Sequence, residues 1–207
     1  MTFGERRDEL VDTLRQRENI GRRTAAALRA VPRHEFVPEH KRAQAYADRP
    51  LPIGEGQTIS APHMVAIMTD LLDLSPGDTV LEIGTGRGYH AAVTAESVGA
   101  DNVYSVEYHE NLARRARETL EAAGYGEVSV RVADGRAGWP EHAPYDAAYM
   151  TCAASDFPSA VVDQVRAGGV LLGPLGDGSQ VLVRAFKHED GSLECERHGH
   201  VRFVPLK

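Results

Sequence analysis

Cysteine is scarce in this chain: Cys152 and Cys195 are the only two among 207 residues. That excludes a disulfide-stapled scaffold and points to a reducing, cytoplasmic setting. No stretch approaches the roughly 18 consecutive apolar residues of a membrane span. Residues 1–9 lack the apolar core of a secretory signal. Positive charge is also in deficit. Lys and Arg number 23 against 30 Asp and Glu, a formal net charge of −7, so nothing steers the whole chain toward a nucleic-acid backbone or an anionic membrane surface. The arginines that do gather, Arg22-Arg23 and Arg114-Arg115-Arg117, fall in helical stretches and read as solvated faces.

What is present is ordinary for a globular protein with a real core: 42% hydrophobic and 26% charged residues. This composition excludes a disordered tail, a collagen and a coiled coil. Residues from about 5 to 30 read as helical by apolar spacing, with Leu10, Val11 and Leu14 on one face and Ala25, Ala26, Ala27 and Leu28 as a second run. Val31-Pro32 and Val37-Pro38 then break the helical pattern. The Pro- and Gly-rich stretch 46–60 is expected to be a loop. From Met64 the spacing of Ile67, Met68, Leu71 and Leu72 predicts an amphipathic helix.

Strands and helices alternate after that. Strands are expected at 79–83, 102–107, 128–132, 145–150 and 170–173, and helices at 88–98, 109–123 and 158–166. Such alternation means parallel strands joined by right-handed crossovers, the doubly wound, Rossmann-like α/β class. Residues 180–186 and 193–204 flank the turn Glu189-Asp190-Gly191-Ser192 and predict a C-terminal β-hairpin. The expected organisation is an N-terminal helical appendage with a loop over 1–60 and a sheet domain over 61–207, together one compact unit.

The first strand runs into Glu82-Ile83-Gly84-Thr85-Gly86-Arg87-Gly88. Glycines there let the backbone turn tightly and approach a ligand. A dinucleotide fingerprint needs its third glycine at position 89, but Tyr89 stands there and the third glycine is Gly88. The E-x-G-x-G-x-G form resembles the S-adenosylmethionine site of class I methyltransferases. Glu82, Gly84, Thr85 and Gly86 are then expected at the cofactor. Glu107 ends the second strand, roughly 20 residues past the loop, where a carboxylate can accept ribose hydroxyls. Asp134-Gly135 follows the third strand, where Asp134 could accept from an adenine amino group.

Before the amphipathic helix stands Gly54-Glu55-Gly56-Gln57-Thr58-Ile59-Ser60-Ala61-Pro62-His63. Two readings fit it. Ser60 suits an N-cap with Pro62 in the first turn. Hydroxyls and free N–H groups at a helix start also make a cradle for a carboxylate.

These residues carry a specific resemblance. Residues 31–38, 45–54 and 56–60 resemble the protein-L-isoaspartate O-methyltransferase family. So do the glycine loop, Asp134-Gly135 with Trp139-Pro140, the run 143–146, and Arg202-Phe203-Val204-Pro205-Leu206. The resemblance implies methylation of the α-carboxyl of L-isoaspartyl residues in damaged proteins, with S-adenosyl-L-methionine as donor. It implies Ser60 as the active-site residue. Thr58, Ile59, His63, Val204 and Leu206 would line the substrate groove, and Gly84, Gly86, Glu107, Asp134 and Gly135 would hold the cofactor. Three positions depart from the family pattern: Arg87 in place of a small residue, His90 in place of Gln, and Cys152 within an Ala-rich run. Arg87 fits if its side chain points outward.

Chemistry sharpens this expectation. A carboxylate is already ionised at neutral pH, so its methylation needs no general base. A hydroxyl can orient the acceptor without adding like charge, so Ser60 reads as an orienter. The absence of a Gly-x-Ser-x-Gly elbow argues against a serine hydrolase. Cys195, His198 and His200 do not have zinc-ligand spacing, and no metal is expected. The expected partners are isoaspartyl proteins and peptides, with the enzyme itself a monomer. The alternatives are a class I methyltransferase acting on a small molecule and a non-catalytic cofactor-binding module.

Overall fold

The structure is a computed structural model and describes residues 1–207. Helix α1 (Phe3–Arg17) begins where Thr2 and Glu5 form a reciprocal capping box. Thr2 Oγ1 accepts the Glu5 N–H at 3.2 Å, and Glu5 Oε2 accepts the Thr2 N–H at 2.7 Å. The helix buries Val11 and Leu14. Asn19, with φ 53°, breaks the expected continuous helix. Helix α2 (Arg22–Ala30) then buries Ala25, Ala27 and Leu28. It stops at Val31, which is extended ahead of Pro32.

The expected loop over 46–60 is in part a hairpin. Strand β1 (Leu51–Gly54) pairs antiparallel with β2 (Gln57–Ile59). Glu55 and Gly56 turn the chain with φ of 52° and 69°. Positive φ at both central residues is the I′ geometry that matches strand twist. Glycine is at ease there, and Glu55 is held by the pairing on either side.

Helix α3 (Pro62–Leu72) overturns the capping role expected of Ser60. Its N-cap is Ala61, and no side chain at that position caps it. The orphan donor is met from outside the helix: Asp48 Oδ1 accepts the His63 N–H at 2.9 Å and also bonds His63 Nδ1 at 2.9 Å. Asp48 Oδ2 accepts from Arg17 of α1 at 2.5 Å. One carboxylate therefore ties α1, the segment before β1, and the start of α3.

The remaining chain builds one sheet. In order come β3 (Val80–Ile83), α4 (Tyr89–Val98), β4 (Val103–Glu107), α5 (Glu110–Ala122), β5 (Ser129–Val132), β6 (Tyr145–Met150), α6 (Ser159–Gln164), β7 (Val165–Leu175), β8 (Gln180–Lys187) and β9 (Leu193–Val201). The spatial order is β5-β4-β3-β6-β7-β8-β9. The first five strands in that order are parallel, and β8 and β9 are antiparallel. This is the expected doubly wound α/β class with a terminal hairpin. Strand β7 is longer than the expected 170–173 and passes through Gly168 at φ 77°. Strand β9 stops at Val201, short of the expected 204. It forms a sheet edge along which Glu194, Glu196, Arg197 and His198 are exposed.

Chain direction across the sheet reverses at β3, which places a crevice at the C-terminal strand ends. One apolar cluster of 33 residues, from Val11 to Leu182, joins the N-terminal helices, the β1–β2 hairpin, α3 and α4 to one sheet face. A second, of 13 residues including Leu81, Ile83 and Val106, covers the other face.

Burial works against the Asp48 carboxylate, but hydrogen bonds from Arg17 and His63 outweigh it and hold its pKa below the ordinary value. Its stabilising contribution is therefore present at neutral pH and lost as pH falls through that lowered pKa. Asp48→Ala should destabilise the fold by about 1 kcal/mol through the lost cap, roughly 2–4 °C in Tm for a chain of this length. Thermal melts should show the gap between variant and wild type at pH 7 and its narrowing in acid.

Candidate active site

A cleft of about 510 Å³ opens at the C-terminal ends of β3, β4 and β6. Its floor is Ile83, Gly84 and Gly86 from β3 and the loop after it, and one side is Val106, Glu107, Tyr108 and His109. Gly135, Thr151 and Cys152 form the other side. Ile53, Gln57 and Thr58 overhang from the β1–β2 hairpin, and residues 204–207 close the end. Those last residues leave β9 and dock on Ala153. The Ala153 N–H donates to Val204 O and the Leu206 N–H to Ala153 O, each at 2.8 Å.

The glycine loop is shaped by close approach. Gly84 has φ 100°, and a Cβ there would lie 2.3 Å from Thr151 Oγ1. That hydroxyl donates to Gly84 O at 2.5 Å. Glu107 is buried at the end of β4 and latches the loop. Its Oε2 accepts the Gly86 N–H at 2.8 Å, and its Oε1 accepts the His109 N–H at 2.9 Å. Each oxygen keeps acceptor capacity, and Glu107 lines the cleft. At Gly135 a Cβ would meet Ile83 Cγ2 at 2.4 Å, so only glycine lets this backbone form the cleft wall.

Two expected cofactor residues are placed elsewhere. Asp134 caps its own turn, accepting the Arg136 N–H at 2.9 Å and pairing with the Arg136 guanidinium at 3.2 Å. Gly135 lines the cleft and Asp134 does not. Glu82 has no exposed surface and lies inside the fold. It sits one step back from the end of β3, level with Ser105 on β4, and does not line the cleft.

Beside the cleft lies an open groove of about 870 Å³, which includes Thr58, Ser60, His63, Arg202 and Val204. Between the hairpin and the glycine loop is a small inner cavity, lined by Ile59, Ser60, Thr85 and His90 among others. Thr58 and Thr151 line all three spaces. Ser60 lines the groove and the inner cavity, and its carbonyl accepts from Arg33 at 2.8 Å. Ile59 is mostly core, with its contact to open space confined to the inner cavity. Leu206 lines the cleft and Val204 both the cleft and the groove.

Sequence reasoning gave no role to Thr151 or Asp48. A hydroxyl directly after a strand that ends at the crevice was the available signal for Thr151. Asp48 offered none, since its partners are distant in sequence. Arg87 does not simply point outward: it is half-buried and lines the inner cavity. Burial pushes the Cys152 thiol up to about 12, which keeps it protonated and unreactive. No three His, Cys, Asp or Glu side chains lie close enough to hold a metal, and no helix is long and apolar enough to cross a membrane.

Glu107→Ala removes both the latch and the acceptor facing the cleft, and hydrogen bonds to a charged group are worth about 1.5–3 kcal/mol. Affinity for S-adenosylhomocysteine should fall about tenfold or more by calorimetry. Unchanged affinity would remove Glu107 from the site.

Comparison with known proteins agrees with this geometry. The family model described as Protein-L-isoaspartate(D-aspartate) O-methyltransferase (PCMT) matches residues 5–207. Protein-L-isoaspartate O-methyltransferase 2 of Archaeoglobus fulgidus is 52% identical over 208 residues, covering 100% of this chain and 95% of the relative. The Methanopyrus kandleri protein-L-isoaspartate O-methyltransferase is 50% identical, over 99% of this chain and 92% of its own. A solved protein-L-isoaspartate O-methyltransferase superposes with a TM-score of 0.88 at 28% identity, over 97% of this chain and 66% of that one. The fold is also that of a beta-aspartate methyltransferase (PCMT) from Plasmodium falciparum in complex with S-adenosyl-L-homocysteine, with TM-score 0.85, 24% identity and coverage of 97% and 98%. With its glycine loop, latched strand-end carboxylate and hydroxyl-lined groove, the chain belongs to the protein-L-isoaspartate(D-aspartate) O-methyltransferase family, whose methyl donor is S-adenosylmethionine.

Proposed function

We propose that this chain transfers a methyl group from S-adenosylmethionine to the α-carboxylate of L-isoaspartyl residues in damaged proteins and peptides. The observation that carries the reading is the junction at Thr58 and Thr151, where the cleft, the inner cavity and the open groove meet. The glycine loop with Gly84 and Gly86, the Glu107 carboxylate and the Gly135 backbone hold the donor. Thr85 supports that loop from within, and the donor supplies an electrophilic methyl group. The acceptor carboxylate enters along the groove and is turned by the hydroxyls of Ser60 and Thr58 toward the junction.

The residues needed are those that position. The acceptor is ionised at neutral pH, so no base is required, and in-line placement at near-attack distance supplies most of the rate. His63, Val204 and the backbone beside Leu206 wall the groove and grip peptide. An isoaspartyl linkage routes the backbone through the side chain and leaves the carboxylate one carbon from the chain. A normal aspartyl carboxylate hangs one methylene further out and misses the methyl. The N-terminal residues 1–60 supply the hairpin wall and residues 61–207 the donor site, packed as one unit. The enzyme works as a monomer in the cytoplasm on damaged proteins, a reading in keeping with its two free cysteines and net charge of −7.

The test pairs an isoaspartyl peptide with its normal-aspartyl twin. A misplacement of about 1 Å can lower the rate about 100-fold, so the isoaspartyl peptide should react and the twin should not. Ser60→Ala should lower kcat about 10–100-fold, in line with a hydrogen bond to a charged group, while S-adenosylhomocysteine affinity stays near wild type. Since Ala61 caps α3, the variant should melt with the parent. Equal rates on the two peptides, or full activity in Ser60→Ala, would refute this mechanism.

A further inference from the structure

Glu82 carries a carboxyl with no exposed surface and no Lys, Arg or His partner. Hydroxyls surround it instead. Tyr149 on β6 donates to Oε1 at 2.8 Å, and Ser105 on β4 donates to Oε2. Ser105 Oγ also bonds Thr85 Oγ1 at 2.6 Å, and Tyr149 OH bonds Thr94 Oγ1 of α4 at 2.9 Å. Thr85 sits between Gly84 and Gly86 and lines the inner cavity with them.

Proton counting gives this chain a direction. An ionised Glu82 accepts only. Tyr149 and Ser105 then commit their protons to it and accept from Thr94 and Thr85. A protonated Glu82 must itself donate to one of them, and that hydroxyl has to turn. When that hydroxyl is Ser105, its proton turns to Thr85, and the charge state of Glu82 reaches a side chain of the donor loop.

The surroundings leave that charge free to change. Burial drives the Glu82 pKa up, Ser105 and Tyr149 pull it down, and Glu107 on β4 raises it again, leaving it at about 7. On α4, His90 is held neutral by burial, its pKa pushed down to about 3. The Tyr149 phenol and the Cys152 thiol both stay protonated.

We propose that Glu82 is a positioning residue that couples a proton to the charge of the methyl donor. Its buried carboxylate, relayed through Ser105 to Thr85, sets the glycine loop for a cationic ligand. Donor binding expels the proton, and conversion to product lets it return. The charges balance. The donor carries a sulfonium, an ammonium and a carboxylate, net +1. On transfer the carbon–sulfur bond breaks, the electron pair stays on sulfur, and the methyl joins the acceptor oxygen. The product left in the cleft is then neutral overall, and Glu82 takes a proton from solvent. This inference concerns the donor site and holds whichever carboxylate accepts the methyl.

The experiment is calorimetric binding of S-adenosylmethionine and of S-adenosylhomocysteine to the whole chain, in buffers of different ionisation enthalpy near pH 7. A cation near a carboxylate lowers its pKa by about 1 unit or more, so the donor should release a fraction of a proton more than the product does. By reciprocity the preference for donor over product should rise about tenfold as pH rises through about 7. Glu82→Gln should abolish that pH dependence and the Glu82 share of the released protons, any remainder coming from the ligand amine. Ser105→Ala keeps the carboxylate but cuts its link to Thr85, and should weaken both ligands by about fivefold, as for one lost hydrogen bond. Should Glu82→Gln fail a melting check, Ser105→Ala decides: it removes a hydrogen bond that lowers the Glu82 pKa, so the midpoint of the pH dependence should move upward, and an unmoved midpoint would overturn the proposal. Equal proton release for the two ligands on wild type, or wild-type linkage retained in Glu82→Gln, would overturn the proposal.

Discussion

A buried guanidinium ties the Ser60 side of the groove to the helix that follows the glycine loop. Arg33 has no exposed surface, and its Nε and Nη2 donate to the carbonyls of Ala45 and Ser60 at 2.9 and 2.8 Å. Its face lies 4.8 Å from the centre of the Tyr89 ring, at the start of α4. Burial pushes its pKa down, yet guanidinium stays charged at any accessible pH. A charge in that position needs acceptors; the two it uses are backbone, and its Nη1 faces no acceptor. Ser60 is thus held through its carbonyl, which leaves its hydroxyl free for chemistry. The same cation spans the N-terminal segment, the hairpin side of the groove and the helix that follows the glycine loop.

Strand β3 shows how one short element serves two purposes. Leu81 and Ile83 point to one sheet face, where Ile83 underlies the cleft. Val80 and Glu82 point to the other. The glycine loop leaves the end of this strand and is held from both sides. Glu107 fixes the Gly86 N–H, Thr151 fixes the Gly84 carbonyl, and Ser105 fixes the Thr85 hydroxyl. A loop gripped at three consecutive residues is preorganised, so little ordering free energy is spent when it takes a ligand.

The β/α alternation was legible because buried parallel strands read as apolar runs bounded by turns, and 145–150 matches its strand residue for residue. The β1–β2 hairpin was not. Its strands are short, Pro50, Pro52, Gly54 and Gly56 read as breakers, and Glu-Gly is not a strong I′ signal. Ser60 looked like a cap because hydroxyls before a proline usually are. The actual acceptor for the helix start is Asp48, a tertiary contact invisible to local pattern. Glu82 was expected at the cofactor and is found inside the fold, off the cleft lining. It lies one residue back from the strand end, level with Ser105, and the fold of the glycine loop over that end is a tertiary feature that local pattern does not carry.

Strand β9 has a consequence for the company this protein keeps. It is one edge of the sheet, β5 being the other, and an open edge is a template on which another extended chain can add. Here the edge is studded with Glu194, Glu196, Arg197 and His198, and Gly199, at φ 92°, lies near a break in its pairing with β8. Charge and irregular backbone both discourage strand addition. The family to which this chain belongs acts on L-isoaspartyl proteins, and an edge of this kind disfavours the addition of an extended segment to the sheet during an encounter.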